Sequence, residues 1–99
     1  MLNQIILVGR LTKEVEMKEE QGKNYAIITL AIPRSFKNNE GNYDTDFIPV
    51  LLYKEVATNV KEYCHKGDIL GIKGRISNEN NLIVIGERVT FLTSNHKQD

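Results

Sequence analysis

One stretch of this chain breaks the rhythm of the rest. Elsewhere the apolar segments are short, β-branched and read with the two-residue period of strands. Over residues 54–65 the period changes: Val56, Ala57, Val60, Tyr63 and Cys64 recur at spacings of three and four, which marks an amphipathic helix with Tyr63 on its core side. His65 and Lys66 suit the negative end of the helix dipole, and Gly67 supplies a stop. One short helix in a strand-patterned chain is a strong constraint. An α/β sheet needs a helix for each parallel crossover, and here there is a single one.

The strands follow from the remaining pattern. Residues 4–11, Gln-Ile-Ile-Leu-Val-Gly-Arg-Leu, are apolar at both parities, so core covers one face and another subunit is expected to cover the other. Gly9 suggests a bend or bulge at a barrel corner, and Val15 and Met17 continue the strand beyond it. Residues 18–23 read as a polar turn. In residues 24–33, Ala26, Ile28, Leu30 and Ile32 take one face, Tyr25, Ile27, Thr29 and Ala31 the other, and Pro33 ends regular pairing. Asn38 to Asn42, with one Gly and three Asn, is a hairpin loop. A third strand covers residues 45–53, with Ile48, Val50 and Leu52 facing the core. The fourth, residues 68–76, points Leu70, Ile72, Gly74 and Ile76 one way and Gly71, Lys73 and Arg75 the other. Residues 77–81 form a short polar turn. Residues 82–92 form the fifth strand, with a bulge at Gly86 and with Val89 and Phe91 turned to the core. The hairpins imply antiparallel pairing. The order predicts an all-β fold, a five-stranded OB-fold barrel with one short helix between strands three and four. It forms one domain over residues 1–93, followed by a short polar tail, residues 94–99.

The two strands around the hairpin loop carry more aromatic surface than a core needs. Phe36 sits between Arg34 and Lys37 where the chain enters the loop, and Phe47 and Tyr53 share the face of the returning strand opposite Ile48, Val50 and Leu52. Every nucleobase has a π face, so such side chains stack on bases without reading sequence, and interleaved cations track the phosphates. The plainer reading of Phe47 and Tyr53 is a second hydrophobic layer or a subunit interface, and of Lys73 and Arg75 an ordinary solvated strand face. Tyr43, near the loop tip, touches a ligand only if the loop folds over it.

Composition sets bounds. With 99 residues, 40% apolar and 26% charged, the chain makes one globular domain with a modest core. Thirteen basic and thirteen acidic residues cancel, which argues mildly against nucleic acid, but four acids concentrate at Glu14, Glu16, Glu19 and Glu20 while Arg34, Lys37, Lys54, Lys73 and Arg75 lie elsewhere, so a basic face can coexist with a neutral total. No apolar run approaches the ~20 residues of a membrane span, so no membrane partner is expected. The start lacks the features of a signal peptide, and a single Cys excludes an internal disulfide and fits a reducing cytoplasm.

Taken in order, Met1-Leu2-Asn3, Ile6-Leu7-Val8-Gly9-Arg10-Leu11-Thr12, Leu30-Ala31-Ile32-Pro33-Arg34-Ser35-Phe36, Asp46-Phe47-Ile48, Val50 to Lys54, and Lys66-Gly67-Asp68-Ile69-Leu70-Gly71-Ile72-Lys73-Gly74-Arg75 resemble the bacterial and phage single-stranded DNA-binding proteins of the OB-fold type. No single piece is a sharp signature. The ordered set, about three quarters of the chain, is specific. The resemblance implies a sequence-tolerant binder of single-stranded DNA acting in replication, recombination or repair. It also implies homo-oligomers, usually homotetramers, whose dimers form through first-strand edges. It places Phe36, Phe47 and Tyr53 at base-stacking positions, and Arg10, Arg34, Lys37, Lys54, Lys73 and Arg75 at or beside phosphate-contacting ones. Three departures bear on this. Pro49 stands where a polar or basic residue is frequent. The turn at residues 77–81 is shorter than the family's long hairpin and lacks its stacking aromatic, which implies a smaller site per subunit. The family's acidic, aromatic-tipped tail has no counterpart in His96-Lys97-Gln98-Asp99, so recruitment of partner proteins through a tail is not carried over.

Reaction chemistry finds no support. Adjacent helical residues point about 100° apart, so Cys64 and His65 do not face each other, and one Cys with two His makes no metal set. The glycines of residues 71–74 do not make a phosphate loop. The expectation is a non-enzyme without cofactor or metal. A second reading is an OB-fold accessory module of the primosome type, docking replication proteins and binding DNA weakly.

Overall fold

The computed structural model describes residues 1–93; the predicted polar tail, residues 94–99, lies outside them. The strands are Ile5–Leu11 (β1), Lys18–Glu20 (β2), Lys23–Lys37 (β3), Tyr43–Tyr53 (β4), Ile69–Glu79 (β5) and Asn81–Phe91 (β6), and the helix Lys54–Tyr63 (α1) lies between β4 and β5. The sheet order is β1-β5-β6-β4-β3-β2, and β1 pairs a second time with β3. That contact closes five strands into a barrel and leaves β2 as a short addition to β3. The expected OB-fold barrel is present, with its helix before the last two strands.

Two close backbone approaches shape the barrel, one at its closing contact and one in the β5–β6 hairpin. At Gly9 an added Cβ would stand 2.7 Å from Ile32 Cγ1 and 3.1 Å from the Ala31 carbonyl oxygen, so β1 meets β3 only because that position has no side chain. At Gly74 an added Cβ would lie 1.9 Å from the Ile85 carbonyl oxygen. There the β5–β6 ladder steps from Lys73↔Arg88 to Gly74↔Gly86, so Glu87 bulges, one residue beyond the expected site at Gly86. Ala26, Ile28, Leu30, Val50, Leu52, Leu70 and Ile72 fill the barrel, and Ala57, Val60 and Cys64 plug one end. Each fully buried Leu or Ile among them contributes roughly 1.5–3 kcal/mol.

The differences from the sequence reading have local causes. One closing contact, Val50–Leu52 against Val84–Gly86, is parallel rather than antiparallel, because α1 and the β5–β6 hairpin bring the chain back alongside β4 in the same direction. Residues 18–23 form a hairpin whose two turn residues, Gln21 (φ 55°) and Gly22 (φ 78°), both have positive φ. Val15 is buried, but outside any strand. Pro33 still faces Thr45, and β3 continues to Lys37 across an irregular ladder. The helix ends at Tyr63 and Cys64 is extended, so His65 and Lys66 lie beyond the last turn and cannot serve its dipole. The Asp68 carboxylate instead holds that turn by accepting the His65 backbone N–H at 2.9 Å. Tyr63 and Phe91 are exposed, with ring centroids 5.9 Å apart, because the barrel end is already filled by the smaller helix residues. The β5–β6 strands run on to Glu79 and Asn81 around Asn80 (φ 77°), so most of the short turn expected over residues 77–81 is paired strand.

Candidate nucleic-acid interface

The β3–β4 ladder determines which side chains share the outer face. Tyr25 lies opposite Tyr53, Ile27 opposite Leu51, Thr29 opposite Pro49, Ala31 opposite Phe47, and Lys37 opposite Tyr43. Phe47 and Tyr53 do share a face, as alternation requires, and six residues of strand separate them by about 20 Å. Phe47 and Phe36 are each 64% exposed and Tyr53 is 42% exposed, so none of the three is a core residue. Tyr43 joins the same face, with the Lys37 ammonium 5.7 Å from its ring centre. Pro49 sits one residue before β4 meets β6 at Val50, so its missing N–H breaks no closing bond there.

Row by row, the barrel brings Arg10 to this surface from a third strand. Arg10 of β1 lies opposite Ala31, which lies opposite Phe47, so Arg10, Ala31 and Phe47 form one line across three strands. The small methyl of Ala31 leaves an open groove of about 350 Å³ lined by Val8, Gly9, Arg10, Ala31, Pro33, Thr45 and Ile69. Arg10 Nη1 donates to the Gly67 carbonyl at 2.7 Å, which restrains the guanidinium. Lys54 follows Tyr53 directly, in a left-handed conformation (φ 50°) at the start of α1.

The other cations are placed differently. Arg34 is held by Asp46, with Nη2 at 2.9 Å and Nε at 3.2 and 3.3 Å from the carboxylate, and Asp44 lies 4.0 Å from Nη1. This pairing lowers the Asp46 carboxyl below its ordinary pKa and raises that of the Arg34 guanidinium, in each case through their shared hydrogen bond first. Arg75 pairs with Glu87 at 3.1 Å. Lys73 lies on β5, two strands around the barrel from β4, opposite Ile6 on one side and Arg88 on the other. Arg88 is a basic residue that the sequence pattern does not place beside Lys73. The bulge at Glu87 reverses the parity of β6, and no alternation signal survives across it.

Among the described residues no group of His, Cys, Asp and Glu could hold a metal ion, and no helix is long and apolar enough to cross a membrane. Cys64 is buried, and burial together with the Asp68 charge pushes its thiol up to about 11.

The chain has relatives among known proteins. The model of the Single-strand binding protein family matches residues 2–91. The chain belongs to that family. Among the family's curated proteins, "Single-stranded DNA-binding protein 2" of Staphylococcus aureus is 44% identical over 94 residues, covering 94% of this chain and 66% of the relative. "Single-stranded DNA-binding protein B" of Bacillus subtilis is 43% identical over 77 residues, covering 77% of this chain and 68% of the relative. The chain thus spans about two thirds of the length of these family members. The crystal structure of a deletion mutant of the single-stranded DNA binding protein from Thermus aquaticus superposes with a TM-score of 0.74 at 22% identity, over 95% of this chain and 52% of that one. At that identity the likeness is one of fold, and it confirms the OB-fold assignment.

Proposed function

We propose that residues 1–93 bind single-stranded DNA without sequence preference and that the protein protects such strands in replication, recombination or repair, in the cytoplasm and without enzymatic activity. The observation that carries this is the outward-facing line of Phe47, Ala31 and Arg10, with Phe47 and Arg10 exposed, and with Tyr53 and Lys54 at one end of the hairpin and Tyr43, Lys37 and Phe36 at the other. Bases stack on the rings while the cations follow the phosphates. Family membership and the names of the curated relatives support the same reading. Anisotropy of a labelled dT oligomer, titrated at two salt concentrations, is the test. The expected result is tight binding that weakens with salt, and no binding at low salt sinks the proposal. One observation favours the accessory-module reading: Arg34 and Arg75 are each paired with a carboxylate of the same chain. Capture of a replication protein together with negligible DNA affinity would select it.

The second part of the proposal is a homotetramer built through β1 edges. β1 pairs with β5 along Ile5–Arg10 but with β3 only at Arg10 and Leu11, so most of one edge is open to another strand. Ile6 and Val8, 67% and 52% exposed, border a groove of about 300 Å³ with Gly71, Lys73, Thr90 and Leu92, an apolar surface suited to a second copy. A solution mass near the 11.3 kDa of one chain would contradict it.

A further inference from the structure

The hairpin that carries the aromatics is not an ordinary two-strand ladder. Pro33 faces Thr45 and the next pair is Lys37 with Tyr43, so three residues of β3, Arg34, Ser35 and Phe36, stand against one of β4, Asp44. The backbone ladder is interrupted where Phe36 is displayed. Polar side chains cross this gap. Arg34 reaches Asp46 through three contacts of 2.9–3.3 Å and comes within 4.0 Å of Asp44. Asp44 in turn accepts from Asn38 Nδ2 at 3.1 Å, and Asn38 Oδ1 accepts the backbone N–H groups of Glu40 and Asn42 at 2.8 and 3.0 Å. One continuous network therefore runs from the strand interruption to the loop tip. By alternation along β4, Asp44 and Asp46 lie on the face opposite Tyr43, Thr45 and Phe47.

We infer that Arg34 is a positioning residue, not a phosphate contact: clasped by Asp46 and Asp44, it stands in for the missing ladder bonds and fixes where Phe36, Lys37 and Tyr43 stand relative to Phe47. Three features support this. The Nε and Nη2 edge that would grip a phosphate bidentately is occupied by Asp46. Two carboxylates within reach neutralise the charge that counterion release requires. The clasp faces away from the Phe47 side of the strand. The inference rests on the single-stranded DNA reading, and the two fail differently.

The experiment measures affinity of the full chain for a labelled dT oligomer against salt concentration, with thermal melts in parallel. Wild-type chain that does not bind at low salt removes the functional reading itself. With wild-type binding in hand, Arg34→Gln and Asp46→Asn are each expected to weaken affinity by about fivefold, the upper end of what an exposed ion pair is worth. The slope of log K against log salt should be unchanged for both, and the melting temperature should hold. The swap Arg34→Asp with Asp46→Arg should recover most of the loss. A phosphate contact predicts the opposite pattern: Arg34→Gln flattens the slope by about 0.7, and Asp46→Asn, by releasing the arginine, tightens binding. Either of those results overturns the inference, as does a melting-temperature fall that accounts for the lost affinity, or a swap that restores nothing.

Discussion

Ala31 faces Phe47 across the β3–β4 ladder, and the methyl group of Ala31 is what keeps the surface between Phe47 and Arg10 open. A larger side chain at residue 31 would fill the surface over which bases are proposed to stack on Phe47. Ala31→Leu is expected to weaken dT binding by about 1–2 kcal/mol, within the range of one lost base–aromatic stack. The melting temperature should hardly move, because residue 31 points out of the barrel. Parallel anisotropy and thermal-melt measurements check this, and unchanged affinity would place the DNA path elsewhere.

Phe47 and Tyr63 make a matched pair of exposed aromatics on different surfaces. Phe47→Ala should cost roughly 1–3 kcal/mol of binding. Tyr63→Ala, on α1 against Phe91, should cost little binding and a small amount of stability from the lost ring contact. Equal losses from both would mean that general surface hydrophobicity, and not a stacking site, drives association.

Three glycines rank by what a methyl group would meet. Gly74→Ala drives Cβ into the Ile85 carbonyl and should be the most damaging. Gly9→Ala presses on Ile32 and the Ala31 carbonyl, for about 1–3 kcal/mol of overpacking. Gly71→Ala finds its nearest neighbour, Leu92 Cδ1, at 3.6 Å and should be tolerated. Urea unfolding of the three variants gives the order directly, and a Gly71 variant weaker than the Gly74 variant would contradict the described closure.

The strand order and the single helix were legible because period two and period 3.6 are hard to confuse over ten residues. The outward placement of Phe47 and Tyr53 was legible for the same reason, since β4 keeps its alternation from Thr45 to Tyr53. What was not legible depends on register. Arg34 and Asp46 are twelve residues apart, and only the β3–β4 register, with its interruption between Pro33 and Lys37, shows that they are neighbours. Arg88 reaches the face of Lys73 because Glu87 bulges. Tyr63 and Phe91 carry the spacing of core residues, and only the packed structure shows that Ala57 and Val60 leave them no room.

Cys64 gives a pH signature. Its thiol is raised from 9.0 to about 11 by burial first and by the Asp68 charge second. The folded chain therefore disfavours the thiolate. The stability from keeping a neutral thiol is complete below about pH 9 and is lost as pH climbs towards 11. At pH 8 the folded protein should resist iodoacetamide, with alkylation following global unfolding in urea. Fast labelling under native conditions would show that the helix end opens locally.

The assembly surface gives the last prediction. Val8 is exposed in one chain, so Val8→Glu should leave the barrel intact. In an assembly built on β1 edges, two-fold pairing places copies of this strand side by side, and each introduced carboxylate is desolvated in the contact at a cost that Arg10, Lys73 and Arg88, which line the grooves beside Val8, offset only in part. The variant should therefore sediment or scatter as a smaller species than the wild type at equal concentration, with an unchanged circular dichroism spectrum. Its affinity for a short dT oligomer should fall less than for a long one, because a long strand gains from several linked subunits and a short one does not. A variant of wild-type mass would remove β1 from the interface and leave Ile6 and Val8 as ordinary exposed side chains.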